Sequence, residues 1–114
     1  MEIGLFQLEN LVIARSPFLF FDLREGEIDP LPSSLERNLL LAKRLPAVEL
    51  EPYLKQEKIT PDRAMVLLCE DGMKSRVLAR RLETAGFQNV YVVTGGTFGL
   101  LSELTDADLS SSTK

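Results

Sequence analysis

The chain contains no histidine and a single cysteine, Cys69, in 114 residues. Without histidine, Cys–His and Ser–His hydrolase chemistry is excluded, because the nucleophile would lack its usual base. One cysteine and no histidine leave no ligand set for zinc, and no metal or cofactor is expected. A lone cysteine cannot close an internal disulfide, so the thiol stays free and a reducing, cytoplasmic setting is expected. An excess of positive charge is also missing. The net charge of −4 argues against a nucleic-acid surface or a basic membrane patch. No apolar run approaches the roughly 18 residues of a membrane span, and Met1-Glu2 does not begin a signal peptide.

What remains is an ordinary globular composition, 45% apolar and 26% charged, at a length close to the common domain size. Such a chain buries roughly two-thirds of its extended surface, enough for a core without covalent staples. Ile3 to Phe6 reads as a short strand and Gln7 to Ala14 as a helical turn or two. Ser16-Pro17 breaks the chain, and "FLFFDL" (Phe18 to Leu23) reads as a buried strand. The turn-rich "REGEIDPLP" follows. Ser33 and Glu36 match a capping box, and Leu35, Leu39, Ala42 and Leu45 predict a helix stopped by Pro46. "AVEL" is read as an edge strand, followed by a short helix at Pro52 to Gln56. Ala64 to Leu68 is the next strand and Ser75 to Ala85 the next helix, closed by Gly86 and Phe87 as a Schellman motif. Asn89 to Val93 is a strand, and Gly95-Gly96 turns into a last helix near Thr97 to Leu104. The reading is one domain over residues 1–104 with a mobile polar tail over 105–114. Strands alternating with helices predict an α/β domain with a mostly parallel sheet.

"VLLCEDGMKS" is the stretch with chemistry in it. Cys69 falls at the carboxyl end of a predicted strand, where open α/β sheets bind ligands. Gly72 permits the sharp turn that follows. Successive amides in such a turn converge on an anion, reinforced by the positive end of the next helix. Lys74 and Arg76 add positive charge. This device would stabilise a thiolate. The other reading of Cys69 is a small buried residue at a strand end, since free cysteine is among the most buried types.

The wider pattern resembles the rhodanese family. "C-E-D-G-M-K-S" is similar to its active-site loop, C-x-x-G-x-R-S, with Lys74 in the Arg place. "FFDLRE" looks like its strand ending in D-x-R-E, and "AGFQNVYVVTGGTFGL" like its helix end, strand and Gly-Gly turn. The resemblance implies a three-layer α/β/α fold around a five-stranded, mostly parallel sheet. It also implies sulfurtransfer, with Cys69 as nucleophile and persulfide carrier between a sulfur donor and a thiophilic acceptor, which can itself be a protein. By the same resemblance Glu70, Asp71, Gly72, Met73, Lys74 and Ser75 form the substrate loop, with Asp22, Arg24 and Arg76 in support. Thiolate attack on sulfur needs no general base, which agrees with the missing histidine.

The sequence departs from the family in several places. The stretch after D-x-R-E is replaced by an apparent extra helix, and Leu100 stands where an aromatic is usual. Lys74 binds an anion as a point charge rather than as a fork. Glu70 and Asp71 put two carboxylates beside the thiolate, which opposes the approach of small dianions. The related phosphatases use C-x(5)-R, whereas Ser75 stands six places after Cys69, so the loop length suits sulfur better than phosphate. A non-enzymatic interaction or sensing module on the same fold is the alternative reading.

Overall fold

The computed structural model describes residues 1–14, 17–26, 28 and 30–112, with side chains to residue 105. Ser16 of the Ser16-Pro17 break, Glu27 and Asp29 of the turn-rich stretch, and Thr113-Lys114 of the polar tail lie outside the described residues. The elements in chain order are β1 (Glu2–Ile3), α1 (Leu5–Ile13), β2 (Leu19–Asp22), α2 (Ser33–Leu39) and β3 (Lys43–Arg44). There follow α3 (Ala47–Gln56), β4 (Met65–Leu68), α4 (Met73–Thr84), β5 (Val90–Val93) and α5 (Gly96–Ser112). The strands form one five-stranded sheet in the order β1-β5-β4-β2-β3, with every pairing parallel.

β4 is apolar without a break because both of its faces are covered. Met65 and Leu67 pack with Leu50 and Leu54 of α3 and Leu78 and Leu82 of α4. Val66 and Leu68 pack on the opposite face with Leu8 of α1, Leu35 of α2 and Leu100 of α5. All four β4 residues are fully buried, and each contributes roughly 1.5–3 kcal/mol as an upper estimate. Cys69 continues the Met65–Leu67 alternation and so faces α3 and α4.

The end of α4 follows the sequence reading. Phe87 N donates to Leu82 O and Gly86 N to Glu83 O, each at 3.0 Å, with Gly86 at φ +107°. That is the Schellman pair of bonds. Other boundaries differ. The first strand stops at Ile3 and α1 begins at Leu5, because Gln7 Oε1 accepts from Gly4 N and Glu103 Oε2 from Leu5 N. The predicted capping box does not form. Pro32 is the N-cap of α2, which puts Ser33 inside the helix, and Glu36 Oε1 accepts from Leu31 N.

The predicted 33–45 helix ends at Leu39, and Lys43–Arg44 pair with Phe21 and Asp22 as the edge strand. Three bonds favour that exit over continued helix. Leu45 N donates to Asp22 O at 3.2 Å, and the Arg44 guanidinium donates to Arg24 O and Gly26 O. "AVEL" is therefore the first turn of α3 rather than a strand. α3 starts after Pro46 and carries Pro52 inside it. Pro52 removes one helical bond, while burial of Leu50 and Leu54 on one face holds the helix together. α5 runs to Ser112, past the predicted end at Leu104, and the sequence beyond Leu100 contains neither Gly nor Pro to stop it.

Candidate functional site

Leu23 N donates to Leu68 O at 2.7 Å, which brings the end of β2 beside the start of the cysteine loop. Gly72 closes that loop as the N-cap of α4 at φ +87°, a conformation most side chains avoid. Its amide donates to Cys69 Sγ at 3.2 Å. The sulfur is thus aimed at the start of α4, but Cys69 is only 1% exposed and belongs to the core cluster. Both readings of this residue meet here, since the thiol is buried and also held by a loop amide.

The loop amides are not all directed at the sulfur. Met73 N donates to Asp71 Oδ1 at 2.9 Å, so Asp71 caps the first turn of α4. Arg76 N is the first amide bonded back along the helix, to Gly72 O at 3.0 Å. The amides of Lys74 and Ser75 precede it and have no intrahelical acceptor. The Ser75 side chain is fully buried, and its Oγ has no hydrogen-bond partner among the described residues. A buried hydroxyl left in that state costs about 1–3 kcal/mol.

Asp22 and Arg24 form a two-pronged pair, Nε to Oδ1 at 2.9 Å and an amino nitrogen to Oδ2 at 2.7 Å, with both side chains at most 10% exposed. The hydrogen bonds that Arg24 donates to Asp22 hold its guanidinium above its ordinary pKa against the opposing effect of burial, with the fields of Asp22, Glu70 and Glu36 adding to the rise. Glu70 Oε2 accepts weakly from Glu25 N at 3.5 Å. Lys74 Nζ pairs with Glu25 Oε2 at 3.4 Å. The Asp22–Arg24 pair stands at the end of β2, which lies beside the cysteine loop. Arg76 is drawn elsewhere, its guanidinium lying 2.9 Å from Glu2 Oε1.

Sequence reasoning missed the clamp supplied by α5. Thr97 N donates to Cys69 O at 2.9 Å, Phe98 N to Glu70 O at 3.0 Å, and Thr97 Oγ1 to Glu70 O at 3.3 Å. The first amides of α5 thus take the loop's carbonyls. The two glycines are required by contact as well as by turn geometry. A Cβ on Gly96 would overlap Cys69 O, and one on Gly72 would come to 3.2 Å from Gly95 N. The signal in the sequence is Gly-Gly followed by Thr at a helix start, which by itself reads only as a turn. Among the described residues, no cluster of His, Cys, Asp or Glu is placed to hold a metal ion, and no helix is long and apolar enough to cross a membrane.

A cysteine loop that joins a central parallel strand to a helix defines the class, an α/β domain with its candidate site at the carboxyl edge of its sheet. The model of the Rhodanese-like domain family matches residues 31–103, and the chain belongs to that family. It is 36% identical over 55 residues to the Rhodanese-like domain-containing protein 9, chloroplastic, of Arabidopsis thaliana. That match covers 46% of this chain and 24% of that protein, so the chain spans about a quarter of the relative's length. A rhodanese homologue from the extremely thermophilic bacterium Thermus thermophilus superposes with a TM-score of 0.61 at 27% identity, covering 88% of this chain and 100% of that one. A NAD-dependent persulfide reductase from A. fulgidus gives a TM-score of 0.56 at 25% identity, over 83% of this chain and 15% of that one.

Proposed function

We propose that this domain is a sulfurtransferase that carries a sulfane sulfur as a persulfide on Cys69. The observation that carries this reading is the Gly72 amide on Cys69 Sγ at the start of α4. The buried Ser75 Oγ, which has no hydrogen-bond partner among the described residues, supports it, because a bound sulfur would supply an acceptor there. Family membership and the similarity to a persulfide reductase agree with it. In the first half-reaction the Cys69 thiolate attacks the outer sulfur of the donor. An S–S bond forms to Cys69 while the donor's own S–S bond breaks, and sulfite or a thiolate leaves with the electron pair. In the second half-reaction the thiolate of an acceptor attacks the terminal sulfur, gains it as a persulfide, and releases the Cys69 thiolate. No net oxidant and no general base are needed. The reading includes a reducing, cytoplasm-like setting, supported by the single free thiol.

The competing reading, a non-enzymatic binding module, draws on a different observation, the burial of Cys69 beneath a rim that carries Glu70 and Asp71. Intact-mass spectrometry after incubation with thiosulfate and with low-molecular persulfides separates the two. A gain of one sulfur, located on Cys69 by peptide mapping and absent in both Cys69→Ser and Cys69→Ala, is the expected result. No sulfur uptake from any donor by the folded protein would overturn sulfurtransfer and leave the binding module.

A further inference from the structure

The α3–α4 face holds a groove of about 860 Å³ whose lining includes Lys74, five residues after Cys69. Its apolar floor and walls include Val48, Pro52 and Val77, and Val48 is 83% and Val77 62% exposed. Lys55 and Arg81 stand along it together with Lys74. A second hollow of about 160 Å³, lined by Lys58, Ile59 and Phe87, shares Glu51 and Lys55 with it. Glu51, the carboxylate shared by the two hollows, is paired with Arg81 at 3.0 Å. Lys74 in turn is paired with Glu25 at the loop end.

The charge of this face is opposite to that of the chain, whose net charge is −4. Lys58 sharpens the contrast. It occupies the left-handed position after α3 at φ +52°, where glycine is the usual residue, and Ile59 N closes the turn onto Leu54 O at 3.0 Å. A lysine there is held in an unfavourable conformation at the edge of a basic groove.

We infer that this groove docks an acidic, amphipathic segment of a partner protein, with apolar side chains over Val48 and Val77 and carboxylates on Lys55, Lys58 and Lys74. The inference deepens the sulfurtransfer reading and rests on it for the partner's role, that of a protein donor or acceptor of sulfur. A segment seated on Lys74 would bring the partner's thiol to the mouth of the loop, while Glu70 and Asp71 disfavour free small anions. Charge complementarity gives the docking a salt-dependent on-rate, and the apolar strip gives it register.

The test measures fluorescence anisotropy of a labelled peptide in which two leucines, one helical turn apart, are flanked by aspartates and glutamates. The comparison peptide has the acids replaced by their amides. The acidic peptide should bind about tenfold more tightly than the amide form at low salt, with the difference shrinking as salt rises. Lys55→Glu and Val77→Asp, both outside the cysteine loop, should each weaken it severalfold. Lys58→Gly should weaken binding while raising Tm, an outcome that loss of fold cannot produce. Sulfur loading of Cys69 by a small donor should be unchanged in all three variants. In a second arm, transfer from loaded Cys69 to a cysteine-bearing acidic peptide should lose kcat/KM in Lys55→Glu, while transfer to a small thiol should not. Equal binding of the two peptides, or binding indifferent to these variants, would overturn the docking site. Self-association of the chain that is sensitive to Lys55→Glu would also overturn it, since the occupant would then be a second copy. If Cys69 takes up no sulfur while the acidic peptide still binds as described, the docking site stands and the sulfurtransfer reading falls.

Discussion

The amide of Thr97 donates to the carbonyl of Cys69 at 2.9 Å, joining the start of α5 to the backbone of the candidate nucleophile. Thr97 and Phe98 lie on the first turn of a helix, where amides lack intrahelical acceptors. The carbonyls of Cys69 and Glu70 supply those acceptors. Each side completes the other, and the peptide planes of the loop are thereby prevented from turning over. The orientation that lets Gly72 N reach Cys69 Sγ depends on an element nearly thirty residues further along the chain.

Gly96→Ala tests this clamp. The new Cβ would overlap Cys69 O at a position already held at φ +60°. Urea denaturation should show a loss of about 2–4 kcal/mol, from strain and broken loop bonds together. Sulfur uptake by Cys69, measured under conditions where the variant is still folded, should fall as well. Unchanged stability and uptake would mean that the α5 clamp does not constrain the loop.

Ser75→Ala should separate stability from activity. Removing a buried hydroxyl that has no partner among the described residues should be neutral or stabilising by up to about 1 kcal/mol. If the hydroxyl serves the bound sulfur, the rate of persulfide transfer should fall about tenfold, or about 1.4 kcal/mol of barrier. Thermal melts and single-turnover sulfur transfer check the two halves. A variant that is more stable and equally fast would make Ser75 a packing residue.

The acidic rim has structural partners that the sequence did not reveal. Asp71 caps Met73 N and Glu70 accepts weakly from Glu25 N. Glu70→Gln with Asp71→Asn keeps both acceptors and removes two charges, so the fold should tolerate it. kcat/KM for thiosulfate should rise severalfold, with the gain declining as salt screens the site. Neutral or protein-bound persulfide donors should change much less. A wild type that already turns over thiosulfate rapidly, with a double variant no faster, would make these carboxylates purely structural.

Arg24→Met addresses the Asp22–Arg24 pair. It leaves the Asp22 carboxylate nearly buried without its two-pronged partner, and losing one member of a buried pair costs about 3–5 kcal/mol. Slight exposure places the expected loss near the lower end of that range, about 3 kcal/mol by denaturant unfolding. Because the guanidinium stays charged throughout ordinary pH, the stability gap between wild type and variant should not vary through titration of Arg24. A gap below about 1 kcal/mol would assign the pair to the class of weak surface bridges.

The central strands and the cysteine's position were legible in the chain because short-range physics decides them. "MVLLC" must be covered on both faces to keep its apolar side chains from water, and Gly72 must turn where a β-strand gives way to a helix. Gly86-Phe87 encoded the end of α4 for the same reason, since a helix stop needs only its own last turn and a residue free to adopt positive φ. The cysteine loop was recognisable because its order of residue types is compact.

Tertiary structure decided what local preference left balanced or misdirected. Ala42 and Leu45 continue a helical pattern, yet the chain leaves the helix at Leu39 because Lys43–Arg44 gain a sheet edge and Arg44 gains two carbonyls. Pro52 would mark the start of a helix if only its neighbours counted. It lies inside α3 because Leu50 and Leu54 must reach the core from one continuous face. The partners of Glu70, Asp71, Lys74 and Arg76 were equally beyond reach, since a charged side chain pairs with whatever the fold brings near and sequence separation carries no record of it. Cys69 itself combines the two levels. Its place at the strand end follows from hydrophobic pattern and one glycine, whereas its burial and its hold by α5 exist only once the sheet and both helix layers have closed around it.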